Sequence, residues 1–305
     1  MTRYRDSTPV IPAVAPAMAA FFLPGHVDRG MRVGIVAQRS NPRAAYLAAQ
    51  LQSELAGEDV EILVDEATAE TNETPEAGIP VERMDQSDLV VSIGGDGTFL
   101  FVARAAGSTP ILGVNLGEVG FLNAVDPDEA IDVVTETVAA LTADELTVRS
   151  VPRLRTSGGS WSLPPAINEV VFQAPDRGPG AGAEIEVRID GSLYTGGHAD
   201  GVIVSTPVGS TAYNLSEGGP LVHHGTKAMI VTELCARDSM PSLVIDGSAT
   251  VEVRLSGSDT GYLVADGRER RSIDLPAFAT VELGGPPVRL AGPEVDFFEA
   301  LGKLS

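Results

Sequence analysis

An apolar run of strand length, Leu89-Val90-Val91-Ser92-Ile93, stops abruptly at Gly94-Gly95-Asp96-Gly97, and a helix-compatible run then extends from Phe99 to Ala106. The pattern predicts strand, loop, helix. At such a junction the main-chain N–H groups point out of the loop, and glycines without Cβ atoms let a phosphate approach them. A carboxylate in the middle of a phosphate loop is electrostatically unfavourable unless it handles a metal or a proton, which makes Asp96 the first candidate for chemistry. Asp-Gly is also a common turn pair, so the motif alone is equally compatible with a plain connection.

The chain on either side of this loop alternates strands and helices. Arg32 to Ala37 reads as a short buried strand, and Asn41-Pro42 supplies an N-cap and a proline at the first position of a helix reaching about Gly57. Val60 to Val64 is a second strand, residues 66–80 read as an acidic loop, and Thr109 to Asn115 is a strand after the glycine motif. Asp126-Pro127 is expected to cap a helix ending near Ala143. This order implies a parallel, Rossmann-like sheet covered on both faces, with ligands at the carboxyl ends of its strands. Beyond residue 146 the helical periods disappear. Glu184 to Ile189, the turn pair Asp190-Gly191 and Ser192 to Thr195 form an expected hairpin, and Ala249 to Leu255, Tyr262 to Ala265 and Thr280 to Leu283 are further strands. Asp246-Gly247 and Asp266-Gly267 are additional turn pairs.

The predicted organisation is an extension over residues 1–30, an α/β phosphate-binding domain over 31–145, a β-rich domain over 146–290 and a C-terminal helix within 291–305 that packs back on the first domain. The extension, rich in Ala and Pro, is expected to be disordered or to reflect an upstream start with Met31 as the working initiator.

The 305-residue chain carries 42 acidic against 21 basic residues, a net charge of −21, and only Lys227 and Lys303 are lysines. Such a surface repels nucleic acid and anionic membranes and suits a salt-rich cytoplasm, so a halophilic origin is expected. Cys235 stands alone, which excludes a disulfide framework and a cysteine metal cluster. No apolar run reaches transmembrane length.

A second dense stretch follows the apolar run Val202-Ile203-Val204: Thr206-Pro207-Val208-Gly209-Ser210-Thr211-Ala212-Tyr213, then Gly218-Gly219-Pro220. Small residues let a planar base lie against the backbone, and hydroxyls can read its edge or a ribose. These segments, taken with Gly94 to Thr98, Gly113-Val114-Asn115, Gly120-Phe121-Leu122, Asn168-Glu169 and Asp200-Gly201, resemble the NAD kinases in order, over about residues 31 to 300. The glycine motif is shared with lipid kinases; the Thr-Ala-Tyr motif is far more specific.

The resemblance implies transfer of the terminal phosphate of ATP to the 2′-hydroxyl of the adenosine ribose of NAD. By it, Asp96 would be the general base, and Gly94, Gly95, Gly97 and Thr98 would cradle phosphates. Asn168 and Glu169 would bind the dinucleotide together with Asp96 and Gly97, Thr211, Ala212, Tyr213 and Ser216 would line its adenosine part, and Phe121 would pack near the adenine. Asp200 would reach the nicotinamide side across a subunit contact, which implies a homodimer or homotetramer. Mg²⁺, or another divalent cation, would arrive with ATP; no metal site built of protein side chains is predicted, and polyphosphate stays open as a donor. His223 matches a family histidine. Val208 stands where the family usually has Thr or Ser, and Glu217 where Ala is usual. Two other readings stand beside this one: a lipid or small-alcohol kinase with the same loop, disfavoured by the lack of a membrane-binding face, and a non-catalytic NAD(P)-binding regulator. A Rossmann dehydrogenase is disfavoured because no Gly-x-Gly-x-x-Gly opens a helix after the first strand.

Overall fold

The computed structural model describes residues 30–57, 60–117, 120–176, 178, 181–238 and 240–303. The proposed extension, apart from residue 30, lies outside the described residues. In chain order the first elements are β1 (Met31–Ala37), α1 (Pro42–Leu55), β2 (Val60–Asp65), α2 (Glu66–Thr71), β3 (Gly78–Ile79), β4 (Leu89–Gly94), α3 (Asp96–Ala105), β5 (Ile111–Asn115) and α4 (Ala130–Thr142). There follow β6 (Arg149–Val151), β7 (Leu154–Gly158), β8 (Trp161–Ser162), β9 (Glu169–Gln173), β10 (Ala183–Ile189), β11 (Ser192–Ala199), β12 (Gly201–Ser205) and α5 (Tyr213–Ser216). The chain closes with β13 (Ala228–Leu234), β14 (Leu243–Asp246), β15 (Val251–Ser256), β16 (Thr260–Ala265), β17 (Glu269–Asp274), β18 (Ala277–Leu283), β19 (Val288–Leu290) and α6 (Phe297–Gly302).

The first sheet has the order β3-β2-β1-β4-β5-β19-β6, parallel from β3 to β19 and antiparallel at the β6 edge. Its central strands are apolar on both faces because both are covered. Val33, Ile35, Val91 and Ile93 pack against Leu47, Leu51 and Leu55 of α1 and Val134 and Val138 of α4. Val36 and Val90 pack against Phe99 and Val102 of α3 on the other side. The fold class is therefore the expected one, an α/β first part followed by β-rich sheets.

Asn41 caps α1 as expected, its Oδ1 accepting from the N–H groups of Arg43 and Ala44, with Pro42 as the first helical residue. Two expectations need correction. Residues 66–80 are not a loop. Asp65 accepts from the N–H groups of Ala67 and Thr68 and so caps α2, whose Ala69 is fully buried, and β3 extends the sheet. Near Asp126-Pro127 the helix begins later, because Asp126 Oδ1 accepts from the Asp128 N–H at 2.9 Å and forms a turn first.

The remaining strands form two six-stranded sheets, β11-β10-β15-β18-β7-β8 and β14-β13-β12-β9-β16-β17. They share one core: Val187, Val253 and Val281 of the first meet Phe172, Val204 and Val231 of the second. The expected hairpin at Asp190-Gly191 is present, with φ of 49° and 79° at the two turn residues. Period-two alternation sends Val171 and Ile203 to the outer face, where Tyr213 covers them. Ile167 and Val208 instead join the α3 side of the first sheet, so the starts of β9 and of the Thr206–Tyr213 loop abut the helix that begins at Asp96.

Candidate active site

The polar half of the site begins where β4 ends. A Cβ on Gly94 would lie 2.5 Å from Thr98 Oγ1 and 3.0 Å from Gln38 Cβ, so the strand-to-helix turn closes only with glycine there; Gly95, by contrast, has open space beside it. Asp96 opens α3, half-buried, with its carboxylate held by the segment after β5. Oδ2 accepts from the Phe121 N–H at 3.0 Å, and Oδ1 from the Leu122 N–H at 3.3 Å and from Asn123 Nδ2 at 3.0 Å. Burial pushes the Asp96 pKa above its ordinary value, opposed by these donors. That segment folds back because Gly120 admits the approach of Asn123 O and Asn115 Cγ, both within 3 Å of where a Cβ would stand.

The second half is built where β9 and β12 pair, Glu169 opposite Ser205. The Thr206 N–H donates to Asn168 O at 2.9 Å, and Thr206 Oγ1 donates to Ile167 O at 2.6 Å while accepting from the Gly209 N–H. Glu169 is buried, and its Oε2 has no hydrogen-bond partner. Burial first, and the nearby Asp266 carboxylate second, push its pKa up to about 8, against a single lowering contact from the Tyr213 N–H. At neutral pH Glu169 is therefore a neutral acid that can donate a hydrogen bond.

Asp266 organises this half. It sits in the tight β16–β17 turn at φ 46°, with Gly267 at φ 67°. Its Oδ1 accepts from the N–H groups of Ile167 at 3.1 Å, Asn168 at 2.8 Å and Glu169 at 3.3 Å. Arg104, at the far end of α3, lies 3.9 Å from its Oδ2 and donates to Ala265 O at 3.3 Å. Burial raises the Asp266 pKa as well, but three amides and Arg104 oppose it. One helix thus carries Asp96 at its start and, through Arg104, the turn that fixes Asn168 and Glu169 at its end.

The structure brings Asp96 and Phe121 into direct contact, and Glu169 beside Tyr213. Thr98 lies against Gly94. Thr211 donates to Val208 O at 3.0 Å, Ala212 is half-buried beside it, and Ser216 is exposed at the end of α5. Asp200 is set apart. It precedes β12 and Thr206 follows that strand's other end, so six residue steps along the strand separate them by roughly 20 Å at about 3.3 Å per residue. Asp200 instead accepts from the Gly178 N–H at 3.2 Å. The Phe121 ring is 7% exposed, packed against Phe297 of α6 at 6.2 Å and His224 at 5.6 Å. His223 is exposed, its Nδ1 accepting from the Gly225 N–H; His224 is half-buried, and desolvation lowers its pKa to about 4. Val208 fills the cluster with Phe99 and Ile167, where a hydroxyl would lose that packing.

Asn123, Asp266 and Arg104 were not singled out from sequence. Asn123 directly follows a motif that was, and Asp266-Gly267 was legible only as a turn. Nothing marks Arg104, since its partners lie more than 160 residues away.

Family models match in two consecutive pieces: the ATP-NAD kinase N-terminal domain over residues 33–141 and the ATP-NAD kinase C-terminal domain over residues 167–291. An NAD kinase of Halorubrum lacusprofundi is 52% identical over 275 residues, covering 90% of this chain and all of the relative. One of Haloarcula marismortui is also 52% identical, over 283 residues, again with 90% and 100% covered. Among solved structures, an NAD kinase from Archaeoglobus fulgidus in complex with ATP superimposes with a TM-score of 0.73 at 25% identity, covering 90% of this chain and 98% of that one. A yeast NADH kinase complexed with NADH shares the fold, with a TM-score of 0.76 at 22% identity and coverage of 91% and 88%.

Proposed function

The chain belongs to the NAD kinase family, and from that premise we propose how its own residues carry phosphate from ATP to NAD. The Asp96 carboxylate takes the proton of the adenosine 2′-hydroxyl. The freed oxygen forms a bond to the terminal phosphorus as the bond from that phosphorus to the bridging oxygen breaks, leaving ADP and NADP, and the proton passes from Asp96 to solvent. The single observation that carries this reading is the Asp96 carboxylate, half-buried on a glycine loop with its pKa raised. A ribose hydroxyl is a poor nucleophile, and a base moved upward from the ordinary carboxylate range accepts its proton more readily. Donors from Phe121, Leu122 and Asn123 hold the carboxylate in one orientation.

Gly94, Gly95, Gly97 and Thr98 would cradle phosphates. Neutral Glu169 and Asn168 would hydrogen-bond the dinucleotide's hydroxyls, with Thr211, Ala212, Tyr213 and Ser216 beside its adenosine. Asp200, distant along the strand, would serve a site completed by a second copy of the chain, which makes a homo-oligomer our reading. Among the described residues no group of three or more His, Cys, Asp or Glu is placed to hold a metal ion. An open glycine loop with one carboxylate fits a Mg²⁺ carried in on phosphates and water, its usual ligands beside one or two carboxylates. When bound, that ion would offset charge on the transferring phosphoryl group.

The test is NADP formation from NAD and Mg-ATP in concentrated KCl, read with an NADP-specific dehydrogenase, for wild type and Asp96→Asn. Loss of general-base help predicts a kcat lower by about 10²- to 10⁴-fold with NAD binding retained. A variant with near-normal kcat removes Asp96 from the role; wild type that binds NAD without turnover favours a regulator.

A further inference from the structure

Strand β4 carries one hydroxyl, Ser92, in a run whose neighbours Leu89, Val90, Val91 and Ile93 are all fully buried. Ser92 is itself fully buried, and its Oγ has no hydrogen-bond partner. Period-two alternation sets it on the face that carries Val90, the one packed against α3. In the parallel ladder Ser92 pairs with Gly113 of β5, so the two positions stand side by side on that face, about 4.8 Å apart.

Gly113 supplies no side chain there, and Asn123 takes the space over it. A Cβ on Gly113 would lie 2.9 Å from Asn123 Cα and 3.0 Å from its Cγ, which sets the carboxamide beside the Ser92 position. Asn123 Nδ2 donates to Asp96 Oδ1 at 3.0 Å, whereas its Oδ1 is buried without a partner. A hydroxyl able to donate and an amide oxygen able to accept are thus both unsatisfied at neighbouring buried positions. Unpaired buried polar groups are costly, and one hydrogen bond between these two removes both penalties. The carboxamide turned over about its last bond would set Oδ1 against the Asp96 carboxylate, two acceptors facing each other. Which end faces Asp96 therefore depends on what the other end meets.

We propose that Ser92 is a positioning residue for the general base: its hydroxyl donates to Asn123 Oδ1, directly or through one buried water, and fixes the carboxamide with Nδ2 aimed at Asp96. Rotation about the single serine side-chain torsion gives the hydroxyl its reach, and a water between the two groups would have the two polar partners it needs. The Phe121 and Leu122 donors to Asp96 belong to the backbone; the Asn123 carboxamide is a donor that a side-chain rotation withdraws. The assignment rests on the reading of Asp96 as the base.

The experiment uses the full chain in concentrated KCl, with Ser92→Ala, Asn123→Ala and the double variant beside wild type, and Ser92→Thr as the variant that keeps a hydroxyl. Ser92→Ala is expected to lower kcat about tenfold, the worth of one hydrogen bond to a charged group, while the KM values for NAD and Mg-ATP change less than about twofold. The acidic limb of kcat against pH is expected to move upward by about half a unit to one unit. The Asn123 donor lowers the Asp96 pKa, so its loss lets that pKa rise. In the Asn123→Ala background the same Ser92→Ala change should leave kcat within about twofold and the limb in place. Ser92→Thr should retain most of the wild-type kcat. Thermal midpoints read the bond independently of turnover, since removing a bonded hydroxyl lowers the midpoint and removing an unpaired one leaves it level or raises it. A Ser92→Ala midpoint at or above wild type, an unmoved limb, or an equal loss of kcat in both backgrounds overturns the proposal. A lowered, Asn123-dependent midpoint together with near-normal turnover of Asp96→Asn overturns the base assignment, and with it the positioning role, while the Ser92–Asn123 bond stands.

Discussion

Glu169 shows how a single side chain is set by its surroundings. With an unfolded pKa near the ordinary carboxylate value and a folded one of about 8, it binds a proton in the native state that the unfolded chain releases. The contribution is fully present below about pH 4.5 and is lost as pH rises toward 8. Thermal midpoints of wild type are therefore expected to decline over that interval more steeply than those of Glu169→Gln, which keeps a neutral donor of similar shape; parallel pH profiles would count against a neutral Glu169. Asp266 has the opposite task, because its carboxylate is the acceptor for three consecutive amides. Asp266→Ala leaves those buried N–H groups without a partner and is expected to cost about 2–3 kcal/mol in denaturant unfolding and to raise the KM for NAD. From sequence the Asn168-Glu169 pair was legible as polar residues opening a strand, and as dinucleotide ligands only through resemblance. Its protonation state was not legible, since that depends on Asp266, some 97 residues away.

At the scale of elements, α3 is the piece on which both halves of the site are mounted. Phe99 and Val102 bury one face of it with Ile167 and Val208 from the β-rich part, while Arg104 grips the β16–β17 turn. Gly94→Ala tests the junction at its start. A Cβ 2.5 Å from Thr98 Oγ1 must displace the first turn, so a destabilisation of about 1–3 kcal/mol is expected, with kcat falling because Asp96 is the helix's first residue. α6 supports the same centre from outside. Phe297 covers the Phe121 ring, whose own N–H holds Asp96. Phe297→Ala is expected to cost about 3 kcal/mol and to reduce kcat, measured by unfolding and by steady-state turnover. Element types were read well where a local signal existed: the Asn41-Pro42 cap, the glycine junction and the Asp190-Gly191 hairpin. The acidic stretch at 66–80 was misread because its charge suggested a solvated loop, whereas Asp65 capping and a buried Ala69 make a helix of it.

For the whole molecule, the net charge of −21 opposes the approach of anionic nucleotides to the site. Raising KCl from about 0.1 M to about 1 M shortens the Debye length from about 10 Å to about 3 Å, screening distant acids while leaving loop amides and close guanidinium contacts in force. Affinity for NAD and Mg-ATP is therefore expected to increase with salt, as checked by titration calorimetry across that range; a monotonic fall would contradict it. Residues 31–305 gather into one compact unit in which the last strand, β19, returns to pair beside β5 in the first sheet. The sequence by itself determined the α/β beginning, the β-rich continuation, the glycine loop and the position of its acid, because turn chemistry, capping and periodicity act over a few residues. Only the tertiary structure decided that β19 and β6 complete the first sheet and that Asp266 and Arg104 join the two halves. Those contacts join residues far apart in the chain, and their energies come from burial and pairing that no local pattern encodes.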